Sequence, residues 1–222
     1  AILKTRLDAF ISRLANQKSR DNSPINQLRE YVLEACRSAA KKTAGIFSLT
    51  VPTGGGKTLS AMSFAIDHAI KNCLERVIVV IPYTSIIRQN ADVYRTAFES
   101  EKEPDRNNVV EHHSGIDEQR RLTESEESKE AETKRRIAVE NWDAPIIVTT
   151  SVQFFESLFT DHPSQARKLH RIARSVIILD EVQTLPPHLL LAILDGIREL
   201  TSNYGATIVL STATPPSLLK NS

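Results

Sequence analysis

Ile46-Phe47-Ser48-Leu49-Thr50-Val51-Pro52-Thr53-Gly54-Gly55-Gly56-Lys57-Thr58 decides how this sequence is read. A short apolar run ends at a proline, and three consecutive glycines follow. A Lys-Thr pair then opens a segment with helical periodicity through Leu59, Met62, Phe64, Ala65 and Ala69. The chain has 222 residues and only 7 glycines, so three side by side concentrate backbone freedom at one point. Such a point needs unusual dihedrals or close backbone approach. Between a strand and a helix it makes a phosphate cradle, because glycine lets backbone N–H groups turn inward and the helix N-terminus adds its positive dipole end. Lys57 can reach the β- and γ-phosphates of a nucleotide, and the Thr58 hydroxyl can ligate Mg²⁺. Thr53, Gly54, Gly55, Gly56, Lys57 and Thr58 are therefore the expected ATP-binding set. Val51 stands where the general pattern of such loops has glycine.

Outward from this loop the same alternation repeats. Val77 to Ile81, Ile146 to Val148, Val176 to Leu179 and Thr207 to Leu210 are continuous β-branched or aliphatic runs, as strands buried on both faces would be. Val109-Val110 is a shorter candidate. Helical periodicity fills the gaps: Ile86, Ile87, Asn90, Ala91, Tyr94 and Phe98, then Leu189 to Leu200. The pattern predicts an α/β fold with a parallel sheet covered on both faces. Upstream, Leu3, Leu7, Phe10 and Leu14 predict an amphipathic helix. After a polar stretch, Ser23-Pro24 starts a second helix that Gly45 is expected to close. This divides the chain into an N-terminal helix and linker over 1–22, expected to come from a preceding domain, and a nucleotide-binding domain over 23–222.

Composition narrows the class. Hydrophobic residues make up 41% and charged residues 25%, enough apolar material for a core. The 28 Lys and Arg nearly balance 27 Asp and Glu, so the bulk basic character that would coat nucleic acid is absent. No apolar run approaches a membrane span, and the start is neither an initiator Met nor a signal peptide. The expectation is a piece of a longer cytoplasmic protein. Cys36 and Cys73 both fall in helical patterns and predict buried free thiols in a reducing compartment. Residues 117–136 alternate acidic and basic blocks with almost no large apolar residues, which reads as a solvated helix or insertion.

A phosphate-binding loop works with a carboxylate at the end of another strand and a base for the attacking water. Asp180 and Glu181 follow the Val176 to Leu179 run and supply both, Asp180 on the metal side and Glu181 polarising water. Three more strand ends carry hydroxyls: Pro82 to Gln89, Thr149 to Gln153, and Ser211 to Thr214. In open α/β sheets these carboxyl ends bind ligands, and hydroxyls with helix N-termini suit a phosphate backbone.

Together, Pro52 to Thr58, Pro82 to Gln89, Asp180-Glu181-Val182-Gln183 and Thr212-Ala213-Thr214 resemble motifs I, Ia, II and III of superfamily 2 helicases. More narrowly, Ser48 to Thr58, Val80 to Asn90, Glu140 to Leu158 and Arg174 to Leu185 resemble the CRISPR-associated helicase-nuclease family of type I interference systems. The resemblance implies a RecA-like, three-layer α/β/α first lobe with a mostly parallel sheet. It also implies a single-stranded DNA translocase driven by ATP and Mg²⁺ in antiviral defence, working with a Cascade-type effector complex and a second RecA-like lobe. By the same likeness Lys57, Asp180 and Glu181 are catalytic, Thr84 and Thr150 touch DNA, and Gln183, Thr212 and Thr214 couple hydrolysis to lobe movement. Gln27 is the candidate adenine reader upstream of the loop. Motif II ends here in Gln183, where most of the superfamily has His or Asp. The family's nuclease relies on His-Asp clusters, and no His-Asp dipeptide occurs in this chain. Without a second lobe and its arginine the chain alone is expected to bind nucleotide better than it hydrolyses it.

Two other readings stay open on the residues alone. A P-loop kinase would use the same loop and Mg²⁺ site, with residues 117–136 as the lid. A nucleotide-binding module without turnover would need only the loop.

Overall fold

A computed structural model describes residues 1–18, 23–99, 108–113, 137–160 and 168–213. The charged stretch 117–136 and Thr214 lie outside the described residues. Among the described residues six strands form one sheet: β1 (Ile46–Thr50), β2 (Arg76–Ile81), β3 (Val109–His112), β4 (Ile146–Thr150), β5 (Ser175–Leu179) and β6 (Thr207–Thr212). Their order is β1-β6-β5-β2-β4-β3, and every pairing is parallel. Helices α1 (Ile2–Lys18), α2 (Pro24–Ala39), α3 (Lys57–Lys71), α4 (Thr84–Phe98), α5 (Ser151–Phe159), α6 (Leu169–Ile172) and α7 (Leu190–Ser202) accompany it, with a helical stretch at 137–141 and two short 3₁₀ turns after β5.

The three layers follow from the period of two along the strands. Val77, Val79 and Ile81 of β2 pack with α1 to α4, beside Leu7, Val32, Met62, Phe64, Tyr94 and Phe98. Ile78 and Val80 point to the opposite face, where Phe154, Ile172, Ile193, Ile197 and Leu200 come from α5 to α7. Both faces of β2, β4 and β5 are buried throughout. The expected RecA-like α/β/α sandwich is what forms.

Three local expectations change. The sheet is not covered on both faces at β1, an edge strand, where Ile46, Ser48 and Thr50 are exposed on one face. α2 stops at Ala39, and Gly45 instead leads into β1, its carbonyl accepting from the Ile208 N–H. Lys41 to Thr43 are exposed polar residues with nothing to pack, so the helix has no reason to continue. Cys36 is buried, which pushes its thiol up to about 11, but Cys73 is exposed in the turn after α3 at φ 55°. Leu7 of α1 is 2% exposed in the same core as α3 and α4. Arg6 of α1 also donates to the Phe98 carbonyl at 2.7 Å.

Candidate nucleotide-binding site

In a parallel sheet all strand carboxyl ends share one edge, and sheet order sets the sequence of sites along it. Here the glycine loop after β1 comes first, then Ser211-Thr212 on β6, Asp180-Glu181 after β5, Thr84 after β2 and Thr150 ending β4. The expected nucleotide residues fall on one side and the expected DNA residues on the other.

The loop has the backbone that its glycines foretell. Gly54 and Gly56 take φ of 83° and 82°, the left-handed region where a side chain is strained. A Cβ on Gly55 would sit 2.6 Å from Val51 Cγ1 and 3.0 Å from the Pro52 carbonyl oxygen. The Gly55 N–H donates to that carbonyl at 3.0 Å, closing a tight turn. No acceptor among the described residues takes the N–H groups of Gly54, Gly56, Lys57 or Thr58. Those donors, at the start of a fifteen-residue helix, fit a chain of phosphates. Thr53 is exposed at the loop's rim.

Lys57 crosses 124 positions to Glu181, whose Oε1 accepts from its ammonium, and lies 3.0 Å from Asp180 Oδ1. Asp180 Oδ1 also accepts from the Ser211 hydroxyl at 2.8 Å and the Glu181 N–H at 3.1 Å. Glu181 adopts φ 50°, ψ 50°, which turns it back over the strand ends. Gln183 Nε2 donates to Glu181 Oε2 at 2.6 Å, and the Thr212 hydroxyl donates to Gln183 Oε1 at 2.7 Å. Lysine, base, glutamine and threonine thus form one hydrogen-bonded chain from the loop to β6. Burial alone would raise the Glu181 carboxyl, but the Lys57 ammonium, the Gln183 amide and the Ala213 N–H bring it below its usual 4.5. Glu181 is accordingly an ionised acceptor at neutral pH, as a water-orienting base must be. Asp180, Thr58 and the Lys57 charge border one small pocket. Hard oxygen donors beside a phosphate loop fit Mg²⁺, with Thr58 and Asp180 as the residues to hold it.

Gln27 sits exposed on α2 in the turn that borders the loop. Its neighbour Arg29 makes the direct link: Nε donates to the Gly54 carbonyl at 2.9 Å and Nη1 to Asn26 Oδ1 at 3.0 Å, while its stem packs on Gly56. Sequence reasoning missed Arg29, whereas Ser211 lay in the strand-end segment it singled out. Thr84 is exposed at the first turn of α4. Thr150 is 5% exposed, and its hydroxyl oxygen accepts from the Gln153 N–H at 3.2 Å as the cap of α5. The hydroxyl accepts that bond and keeps its own hydrogen to donate to a phosphate oxygen.

Such a site on such a sheet defines a nucleotide-binding lobe of the helicase type, and the chain belongs to the DEAD/DEAH box helicase family, whose model matches residues 31–222. It is 31% identical over 191 residues to the CRISPR-associated nuclease/helicase Cas3 of Haloferax volcanii, a match covering 81% of this chain and 20% of that protein. Among solved structures it is similar to T. fusca Cas3-ATP, with TM-score 0.64, 16% identity, and 89% of this chain on 22% of that one. It is also similar to the Pyrococcus furiosus Hef helicase domain, with TM-score 0.55, 22% identity, and 83% of this chain on 33% of that one. The chain thus spans about a fifth of the length of its curated relative. Among the described residues no helix is long and apolar enough to cross a membrane.

Proposed function

We propose that this chain is the ATP-binding lobe of a single-stranded DNA translocase serving type I CRISPR interference, in which a second RecA-like lobe completes the motor and a Cascade-type complex supplies the DNA. The observation that carries the motor reading is the hydrogen-bonded chain Lys57–Glu181–Gln183–Thr212. A kinase needs a loop and a carboxylate; it has no need to tie its base to a threonine on a further strand. The CRISPR setting rests on the likeness to a protein named CRISPR-associated nuclease/helicase Cas3.

The chemistry follows from what each residue can do. N–H groups of the glycine loop hold phosphate oxygens, and Lys57 leaves the carboxylates to offset the charge that builds on them. Bound Mg²⁺ would neutralise phosphate oxygens on the side of Thr58 and Asp180. Glu181, released from Lys57, accepts a proton from the attacking water at its Oε1. Gln183 then senses which partner Glu181 has, and Thr212 passes that state to β6. Thr84, Thr150 and the N-terminus of α5 behind it hold DNA phosphates by position, without reading bases. With no arginine from a second lobe, turnover by this chain alone is slow.

ATP hydrolysis by the full-length protein, measured with and without single-stranded DNA, tests the reading. Stimulation by DNA supports a motor. Dependence on a small acceptor would make it a kinase, and nucleotide binding without turnover a passive module.

A further inference from the structure

β2 and β4 are neighbours, with Ile81 paired to Thr150, so α4 and α5 start side by side at the carboxyl edge of the sheet. The Ser151 hydroxyl donates to the Ile81 carbonyl at 3.4 Å and ties the two starts together. Three large hydrophobic side chains stand exposed there. Tyr83, the residue before α4, is 54% exposed, Ile86 in the first turn of α4 is 41% exposed, and Val152 in the first turn of α5 is 62% exposed. They flank Thr84 and Thr150, to which the proposed function gives DNA phosphates. A phosphate backbone has no use for an aromatic ring.

Tyr83 also holds a position where its residue type is unusual. It is the N-cap of α4, a place that favours Ser, Thr, Asp or Asn because their short side chains accept from the first N–H groups. α4 has no side-chain cap, and the N–H groups of Thr84 and Ser85 have no acceptor among the described residues. Thr150, by contrast, caps α5. The chain forgoes a cap at α4 and sets a ring beside two open N–H donors and two exposed hydroxyls. The local charge suits a polyanion: from Arg76 to Ala91 the sequence has no acidic residue, and Arg88 is exposed one turn beyond Thr84.

Single-stranded DNA offers phosphates that take hydroxyl and N–H donors, and bases whose flat faces stack on aromatic rings whatever their sequence. We propose that Tyr83 is a stacking platform for one base of that strand, with Ile86 and Val152 widening the apolar surface at the two helix starts. Thr84 sets where the strand lies, and the ring holds a base there without identifying it. A duplex keeps its bases inside the stack, so this contact selects single strands. The inference deepens the translocase reading and rests on it.

The test uses the full-length protein and two labelled oligonucleotides of equal length, one of deoxyadenosine and one with the same phosphates on abasic sugars. The wild type should bind the abasic strand more weakly by about fivefold or more. That gap should not change with salt, because a stack releases no counterions. Tyr83→Ala should lose about fivefold on the deoxyadenosine strand and nothing on the abasic one, with an unchanged melting temperature. Tyr83→Phe, which keeps the ring, should bind both strands as the wild type does, and Thr84→Ala should weaken both by one factor. An equal loss on both strands in Tyr83→Ala would put Tyr83 to work on phosphate or against another part of the protein. No loss on either strand would leave the ring unused, and a Tyr83→Phe variant as weak as Tyr83→Ala would assign the contact to the hydroxyl. Each of these three results overturns the inference. Failure of the wild type to bind either strand would instead overturn the translocase reading beneath it.

Discussion

Lys57→Ala perturbs two states of the site at once, and the structure sets the size of each effect. Without nucleotide, the ammonium bridges Asp180 at 3.0 Å and Glu181, with side chains 13%, 20% and 28% exposed. Hydrogen bonds to charged groups are worth about 1.5–3 kcal/mol when buried, and exposed ion pairs about 0–1 kcal/mol. Two contacts of intermediate exposure, with a carboxylate pair left facing itself, give a loss of about 1–2 kcal/mol in the empty chain. For a domain of this size that lowers the melting temperature by about 2–8 °C. With nucleotide, loss of the cation should weaken binding at least about tenfold, or about 1.4 kcal/mol. The pH dependence has a definite sign. Glu181 is held below 4.5, so its stabilisation is complete above that value and is lost as pH falls through the lowered one. The melting gap between wild type and variant should be widest near pH 7 and close below pH 4.5. Calorimetric titration of ATP with melting curves from pH 7 to pH 4 measures both. Unchanged ATP affinity beside a lowered melting temperature would show a structural ion pair with no phosphate role, and the site assignment would fail.

Asp180→Asn should weaken nucleotide binding in Mg²⁺ but not in EDTA, whereas Glu181→Gln should keep binding and abolish hydrolysis in the full-length protein; wild-type turnover by Glu181→Gln would remove it as the base. Thr150→Ala should cost about 1 kcal/mol of stability, because it loses the α5 cap. Thr84→Ala should instead weaken single-stranded DNA binding without changing its salt slope or the melting temperature. His68 is fully buried, with Nδ1 3.0 Å from the Ala40 carbonyl and Nε2 3.0 Å from the Thr207 hydroxyl. Burial lowers its pKa from 6.5 against the opposing Ala40 bond, so the unfolded chain takes up the proton first. Stability should fall as pH drops below 6.5, and His68→Gln should flatten that slope in denaturant titrations between pH 7 and pH 5.

The residues proposed to hold phosphate were legible because their chemistry is local. Three glycines between an apolar run and a helical one have few other uses, and Lys57 and Thr58 follow within two positions. Buried parallel strands likewise announce themselves as β-branched runs, so β2, β4, β5 and β6 stand close to where periodicity puts them. Asp180 and Glu181 were found by the strand that ends on them.

What periodicity could not show is which strand lies beside which. β1 looks apolar enough to be central, yet it forms the edge, and only its pairing with β6 brings the loop next to Ser211 and Thr212. The contact of Lys57 with Glu181 and the engagement of the Thr150 hydroxyl by α5 follow from that order. Arg29 reads as one more charge on an amphipathic helix until α2 is laid against Gly54 and Gly56. Turn chemistry and strand patterning act over a few residues, where the chain's own stereochemistry decides. Strand order and the meeting of α4 with α3 are decided by which apolar faces bury each other best, a sum over residues far apart in the chain.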